Sequence, residues 1–196
     1  MAKTYLATRD QLYRPNLLDN WYFKNPVNQR NMTGTITSTG YFIDRWELVR
    51  GTVQITDDGL VLNGEMRQKC EFPVGRAATA FVLTSAGTAE AVYDDTRKIF
   101  SITSAGGTVL AAKLELGADQ TLAHQENGKQ VLNEIPAYGE QLARCQRYFQ
   151  VFEDDYSCPI YCLDFRPVMR PTARGTPVTG TLTVGDKTLY TASAEL

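Results

Sequence analysis

The chain of 196 residues contains a single histidine, His124, so most imidazole-based acid–base and metal chemistry lacks its usual ligand. It also lacks a surplus of positive charge. Lys and Arg total 20 against 22 Asp and Glu, a formal net charge of −2, which excludes the basic footprint of a nucleic-acid or anionic-lipid binder. No run approaches the ~18 apolar residues of a membrane-spanning helix, so no membrane insertion is expected. Lys3, Arg9, Asp10 and Arg14 interrupt the start of the chain, so no signal-peptide core forms and synthesis in the cytosol is expected. The four cysteines, Cys70, Cys145, Cys158 and Cys162, include no CxxC pair. On one strand Cys158 and Cys162 would stand roughly 13 Å apart, beyond disulfide reach, so the thiols read as free. There is no GxSxG, P-loop or Rossmann glycine pattern. The expectation is a protein with no catalytic residues, no cofactor and no metal.

What the chain does have is alternation. With 43% hydrophobic and 21% charged residues it has the composition of an ordinary globular domain. Period-two patterns recur at Tyr41–Val49, Thr52–Thr56, Leu60–Leu62, Met66–Phe72, Ala78–Leu83, Ala89–Tyr93, Lys98–Thr103 and Leu110–Leu116. Asp57–Asp58–Gly59 is a hairpin signal, and Gly106–Gly107 reads as a turn. This spacing predicts an antiparallel β-sandwich. Pro136–Phe149 breaks the pattern, with Tyr138, Leu142, Cys145 and Phe149 at helical spacing behind a proline suited to a helix start. Period two returns at Ile160–Phe165, and a last hairpin is expected at Thr181–Val184 and Thr188–Thr191. The predicted organisation is an arm over 1–15, a sandwich over 16–125, a linker and helix over 126–150, and a small β element over 151–196.

Each notable residue has two readings at this stage. In Asp44–Arg45–Trp46, alternation puts Asp44 and Trp46 on one face and Arg45 on the other. Trp46 is either a sugar-stacking ring or a core residue beside Phe42 and Leu48, and the shared face favours the core. Trp21 reads as an anchor of the first strand, and Arg30 as a partner for a carboxylate such as Asp44. The pairs Asp57–Asp58, Asp94–Asp95 and Asp154–Asp155 read as solvated turns, because neighbours in sequence do not face each other across a cleft as glycoside hydrolysis requires. They also lack a DxDxDG calcium loop. Tyr93, Asp94, Asp95 and Arg97 combine an aromatic, two acceptors and a forked donor in one loop, so they are the candidate carbohydrate-binding residues. Arg147, beside Tyr148, is expected to hold the small C-terminal part by hydrogen bonds.

Four blocks occur in order: NLLDNWYFKNPVNQR (Asn16–Arg30), GYFIDRW (Gly40–Trp46), AKLELG (Ala112–Gly117) and YGEQLARCQRYF (Tyr138–Phe149). Over roughly residues 16–150 the chain thereby resembles tail-fibre and receptor-binding proteins of tailed bacteriophages and prophages. The proline-flanked stretch Pro167–Arg170 is similar to one in those proteins as well. The resemblance implies a carbohydrate-binding-module-like jelly roll in a virion tail, followed by a helix and a terminal β element. It further implies other tail proteins as partners, host-surface glycan as ligand and assembly as a homo-oligomer, with a trimer favoured. Residues 123–134 depart from the pattern by lengthening the link before the helix. A ligand-free structural spacer and a glycan-degrading enzyme or accessory stay open as other roles.

Overall fold

Long strands, sharply bent, set the shape. A computed structural model of the protein describes residues 14–71, 73–75, 77–152, 169, 178–185 and 187–195. Its strands are β1 (Thr35–Ile36), β2 (Gly40–Ile43), β3 (Trp46–Thr56), β4 (Gly59–Lys69), β5 (Ala78–Ala86), β6 (Ala89–Asp94), β7 (Ile99–Leu116), β8 (Ala123–Glu126), β9 (Lys129–Leu132), β10 (Phe149–Phe152), β11 (Val178–Val184) and β12 (Lys187–Ser193). One helix, α1, runs Tyr138–Gln146. The strand pairs are antiparallel. The chain is therefore the mainly β, antiparallel, sandwich-like protein with one short helix and a small C-terminal β element that its alternation predicts.

The main sheet runs β1-β3-β4-β7-β5, with β2 also on β3 and β6 also on β7. By register, β1 and β2 are two pieces of one edge along β3, and β5 and β6 are two pieces of one edge along β7. Where β4 stops, opposite Val109, the segment from Leu17 to Phe23 takes over the same edge of β7. Its bonds are Leu17 N–H to Leu114 O (2.9 Å), Ala112 N–H to Trp21 O (3.0 Å) and Phe23 N–H to Leu110 O (2.9 Å).

The inner face carries one apolar cluster from Leu18, Trp21 and Phe23 through Trp46, Leu62, Met66 and Phe100 to Leu114. Keeping that face apolar around the bend takes a change of phase in two strands. In β3 the buried positions step from Trp46 and Leu48 to Val53, across a bulge between Leu48 and Arg50. In β7 they step from Phe100, Ile102 and Ser104 to Gly107 and Val109, across a bulge opposite Leu62 and Asn63. Each bulge inserts one extra residue, which restores the inward phase beyond the bend. Gly51 and Gly64 pair directly at this bend. A Cβ on Gly64 would stand 2.1 Å from Arg50 O, and its φ is +142°. Gly64→Ala is accordingly expected to cost at least about 1–3 kcal/mol through overpacking and strain. An unchanged urea midpoint would show that the bend does not need the glycine pair.

Several expectations require correction. Tyr41–Val49 is not one strand, because the chain turns at Asp44–Arg45 between β2 and β3. Of the expected Lys98–Thr103, Ile99–Thr103 joins Leu110–Leu116 in the single strand β7 while Lys98 ends the preceding turn, and Gly106–Gly107 is the bulge of β7, not a turn. In α1 the buried side chains are Gln141 and Cys145; Tyr138 is exposed, Leu142 is half-buried, and Phe149 lies in β10. The insertion at 123–134 is largely the β8–β9 hairpin, turning at Asn127–Gly128 with both residues at positive φ. It straddles the 125/126 boundary, and His124 there is exposed, with its Nδ1 2.6 Å from Asn133 Oδ1. The last hairpin is present as β11–β12, and β10 completes its sheet. Residues 1–13, Phe72, Asp154–Asp155, Cys158, Cys162, Ile160–Phe165, Pro167, Val168 and Arg170 lie outside the described residues.

Candidate functional site

Three of the four resembling blocks meet at one buried polar joint. Arg45 sits at positive φ (70°) in the β2–β3 turn, with its side chain 1% exposed. Its Nε donates to Asp19 Oδ2 (3.2 Å), its Nη1 to Glu195 Oε2 (2.6 Å) and its Nη2 to Lys69 O (2.6 Å). The guanidinium also lies 3.5 Å from the centroid of the Tyr148 ring. The fork thus ties the N-terminal segment, the end of β4 and the strand-end residue Glu195 together. A planar five-donor group suits this and an ammonium does not. Asp19 is shared with α1, since Arg144 Nε donates to its Oδ1 at 2.8 Å. Asp19 also exchanges two bonds with Gln68: its N–H donates to Gln68 Oε1 (2.8 Å) and its carbonyl accepts from Gln68 Nε2 (2.7 Å).

Arg30 does not pair with Asp44, as the sequence predicts; its Nη2 meets Glu195 Oε1 at 3.3 Å. Its guanidinium lies 3.9 Å from the Phe149 ring centroid, so it clamps the C-terminal sheet by cation–π contact as well. Asp44 instead accepts from Gln29, whose backbone N–H reaches Oδ2 at 2.7 Å and whose side-chain amide reaches Oδ1 at 3.2 Å. Burial drives the Asp44 carboxyl up from an ordinary 3.8 to about 7, against the pull of the Gln29 amide and of Arg30. A carboxyl poised near neutrality is a common sign of catalysis. Here it is fully buried with both oxygens engaged by Gln29. Trp46 is equally enclosed, 0% exposed, with its Nε1 donating to Asn20 O at 2.9 Å. Neither Trp46 nor Trp21 is available to stack on a sugar.

The predicted binding loop is only partly assembled as a site. Tyr93 packs its ring on the core. The Asp95 carboxylate accepts the backbone N–H groups of Val74 and Gly75, and so holds the 73–75 segment. Asp94 accepts from Arg97 N–H at 2.9 Å and pairs with its Nε at 3.6 Å. Asp94 and Arg97 do share a shallow groove of about 130 Å³ with Glu65, Arg67 and Val92 on the outer sheet face. The loop therefore splits, with two residues stapling the fold and two facing solvent. A larger pocket of about 340 Å³ opens between the Leu17–Asp19 segment, the end of β7 and the C-terminal end of α1.

No family model, curated protein or solved structure matches the chain. Among the described residues no three His, Cys, Asp or Glu side chains gather as metal ligands, and no helix is long and apolar enough to cross a membrane. Cys70 and Cys145 are free thiols. Burial pushes Cys70 up to about 11 and Cys145 higher still, so neither supplies a thiolate near neutrality.

The residues that sequence reasoning missed are Asp19, Gln68, Arg144 and Glu195. Asp19 and Arg144 stand inside the resembling blocks, so the blocks themselves were the available signal. Gln68 was marked by its place on the inward face of the Met66–Phe72 alternation, and Glu195 carried no signal.

Proposed function

We propose that the chain is a non-catalytic structural protein of a bacteriophage or prophage tail. In this reading it assembles as a homo-oligomer with other tail proteins and presents a surface to host glycans. The observation that carries the reading is the convergence of three ordered blocks on one joint. Asn16–Arg30 supplies Asp19, Gln29 and Arg30; Gly40–Trp46 supplies Asp44 and Arg45; Tyr138–Phe149 supplies Arg144 and Tyr148. The fourth block holds the adjoining loop, where buried Glu115 accepts from Thr121 N–H and Oγ1 and Lys113 Nζ donates to Thr121 Oγ1 at 2.8 Å. A motif set spent on fixing a sandwich to a helix and a terminal sheet fits a rigid part of an assembly better than an enzyme.

Light scattering on the purified chain is expected to give three times the monomer mass. A monomer at every concentration would remove self-assembly. Displayed in many copies, the protein is expected to bind host-type surface glycans on an array, since linked sites raise effective concentration. The enclosure of both tryptophans favours a second reading, a ligand-free spacer. An array with no bound glycan would decide for it.

A further inference from the structure

The pocket of about 340 Å³ has two unlike walls. One is aliphatic: Leu114 and Val74 line it, and Leu17 and Leu116 stand at its rim, 39% and 38% exposed. The other carries Arg147, whose side chain is 48% exposed at the end of α1. Arg147 pairs through Nη2 with Glu71 Oε1 at 3.3 Å and stands 5.7 Å from the centroid of the Tyr148 ring, while its Nε and Nη1 make no hydrogen bond among the described residues. Deeper in the pocket, Arg45 and Arg144 are already engaged with Asp19. The donors not spent on Asp19 thus belong to Arg147, in a pocket whose lining also includes part-exposed apolar side chains.

From this geometry we infer that the pocket receives one carboxylate-bearing sugar unit of a surface glycan, with the carboxylate on Arg147 and the apolar ring face against Leu17 and Leu116. The volume lies at the lower end of the ~300–1,000 Å³ range of ligand pockets, the size for a single substituted ring. A carboxylate grips a guanidinium edge through two parallel N–H bonds, and Arg147 offers such an edge when the Nη2 hydrogen not turned to Glu71 acts together with its neighbour, Nε or Nη1. Glu71 does not forbid this, because a single contact between partly exposed groups holds its partner weakly. The groove beside Asp94 and Arg97 is less suited, since those two charges already neutralise each other.

The inference rests on the glycan-binding reading, and one array separates the two. The oligomeric wild-type protein, Arg147→Gln and Leu116→Trp are applied to sialylated and uronate-containing oligosaccharides printed beside their neutral parents. Melting temperature and near-ultraviolet circular dichroism confirm that both variants fold. The expected result is binding to acidic glycans in preference to their neutral parents, reduced at least tenfold by each variant. Binding of neutral parents as strongly as acidic ones, or acidic binding that survives both substitutions, overturns the pocket and leaves glycan recognition standing. No binding of any glycan by the wild type overturns both.

Discussion

Arg45→Met is expected to lower stability by about 3 kcal/mol, the cost of taking from two buried carboxylates one of the two arginines that each is paired with. The side chains of Asp19 and Glu195 are 11% and 5% exposed, so neither recovers its hydration when the guanidinium is removed. For a chain of this size the loss corresponds to a fall of roughly 10 °C in melting temperature. Arg45→Lys is expected to rescue only part of it, because one ammonium cannot reach Asp19, Glu195 and the Lys69 carbonyl in the same fork. The combination Arg45→Met, Asp19→Asn and Glu195→Gln is expected to regain only part of the loss, since it neutralises the two carboxylates but takes Arg144 and Arg30 from their partners. Urea denaturation of the three variants checks this. A single Arg45→Met variant as stable as the wild type would mean that the joint is hydrated and carries little of the fold.

Asp44 gives the second large effect, in the pH dependence of stability. Its carboxyl has an ordinary value of 3.8 and a folded value of about 7, so folding favours the protonated form. The stabilising contribution is fully present below about pH 4 and is lost as pH rises through about 7. At about 1.4 kcal/mol for each unit of pKa difference, that interval carries about 4 kcal/mol. Measured at intervals between pH 4 and 8, the urea midpoint of the wild type is expected to fall relative to that of Asp44→Asn. The asparagine variant loses a little everywhere, because one of its two side-chain positions no longer accepts from Gln29. Parallel curves for the two proteins would refute a carboxyl raised by burial. The interval reaches neutrality, so the stability of the joint changes across it.

What the sequence makes legible is the part decided locally. Leu60, Leu62, Met66 and Gln68 alternate without a break, and β4 is a single strand whose inward face they form. β3 and β7 are harder because each changes phase at a bulge, and a strict period of two reads that change as an end. The β2–β3 turn is illegible for another reason. Arginine is a poor residue for positive φ, and Arg45 is held there by partners 26 and 150 positions away. The β8–β9 hairpin was there to be read, since Asn127–Gly128 is a strong short-range turn signal. In α1, Gln141 takes a buried position because its Oε1 accepts from Asn20 N–H, a long-range bond that no hydrophobic stripe announces. In the candidate loop Asp95 turns back to the 73–75 segment while Asp94 and Arg97 face solvent, a division that composition alone does not announce.

The pairing of Arg45 with Glu195 also orders events at the ribosome. Asp19, Arg45 and Gln68 emerge early, whereas the carboxylate that completes the cation's neutralisation leaves the exit tunnel 150 residues after Arg45. A nascent chain that stalls before position 195 holds a guanidinium with half of its counter-charge, at the place where sheet and helix must close. Closure of the joint between the sheet, the helix and the terminal strands therefore waits for Glu195, the residue that both Arg30 and Arg45 need.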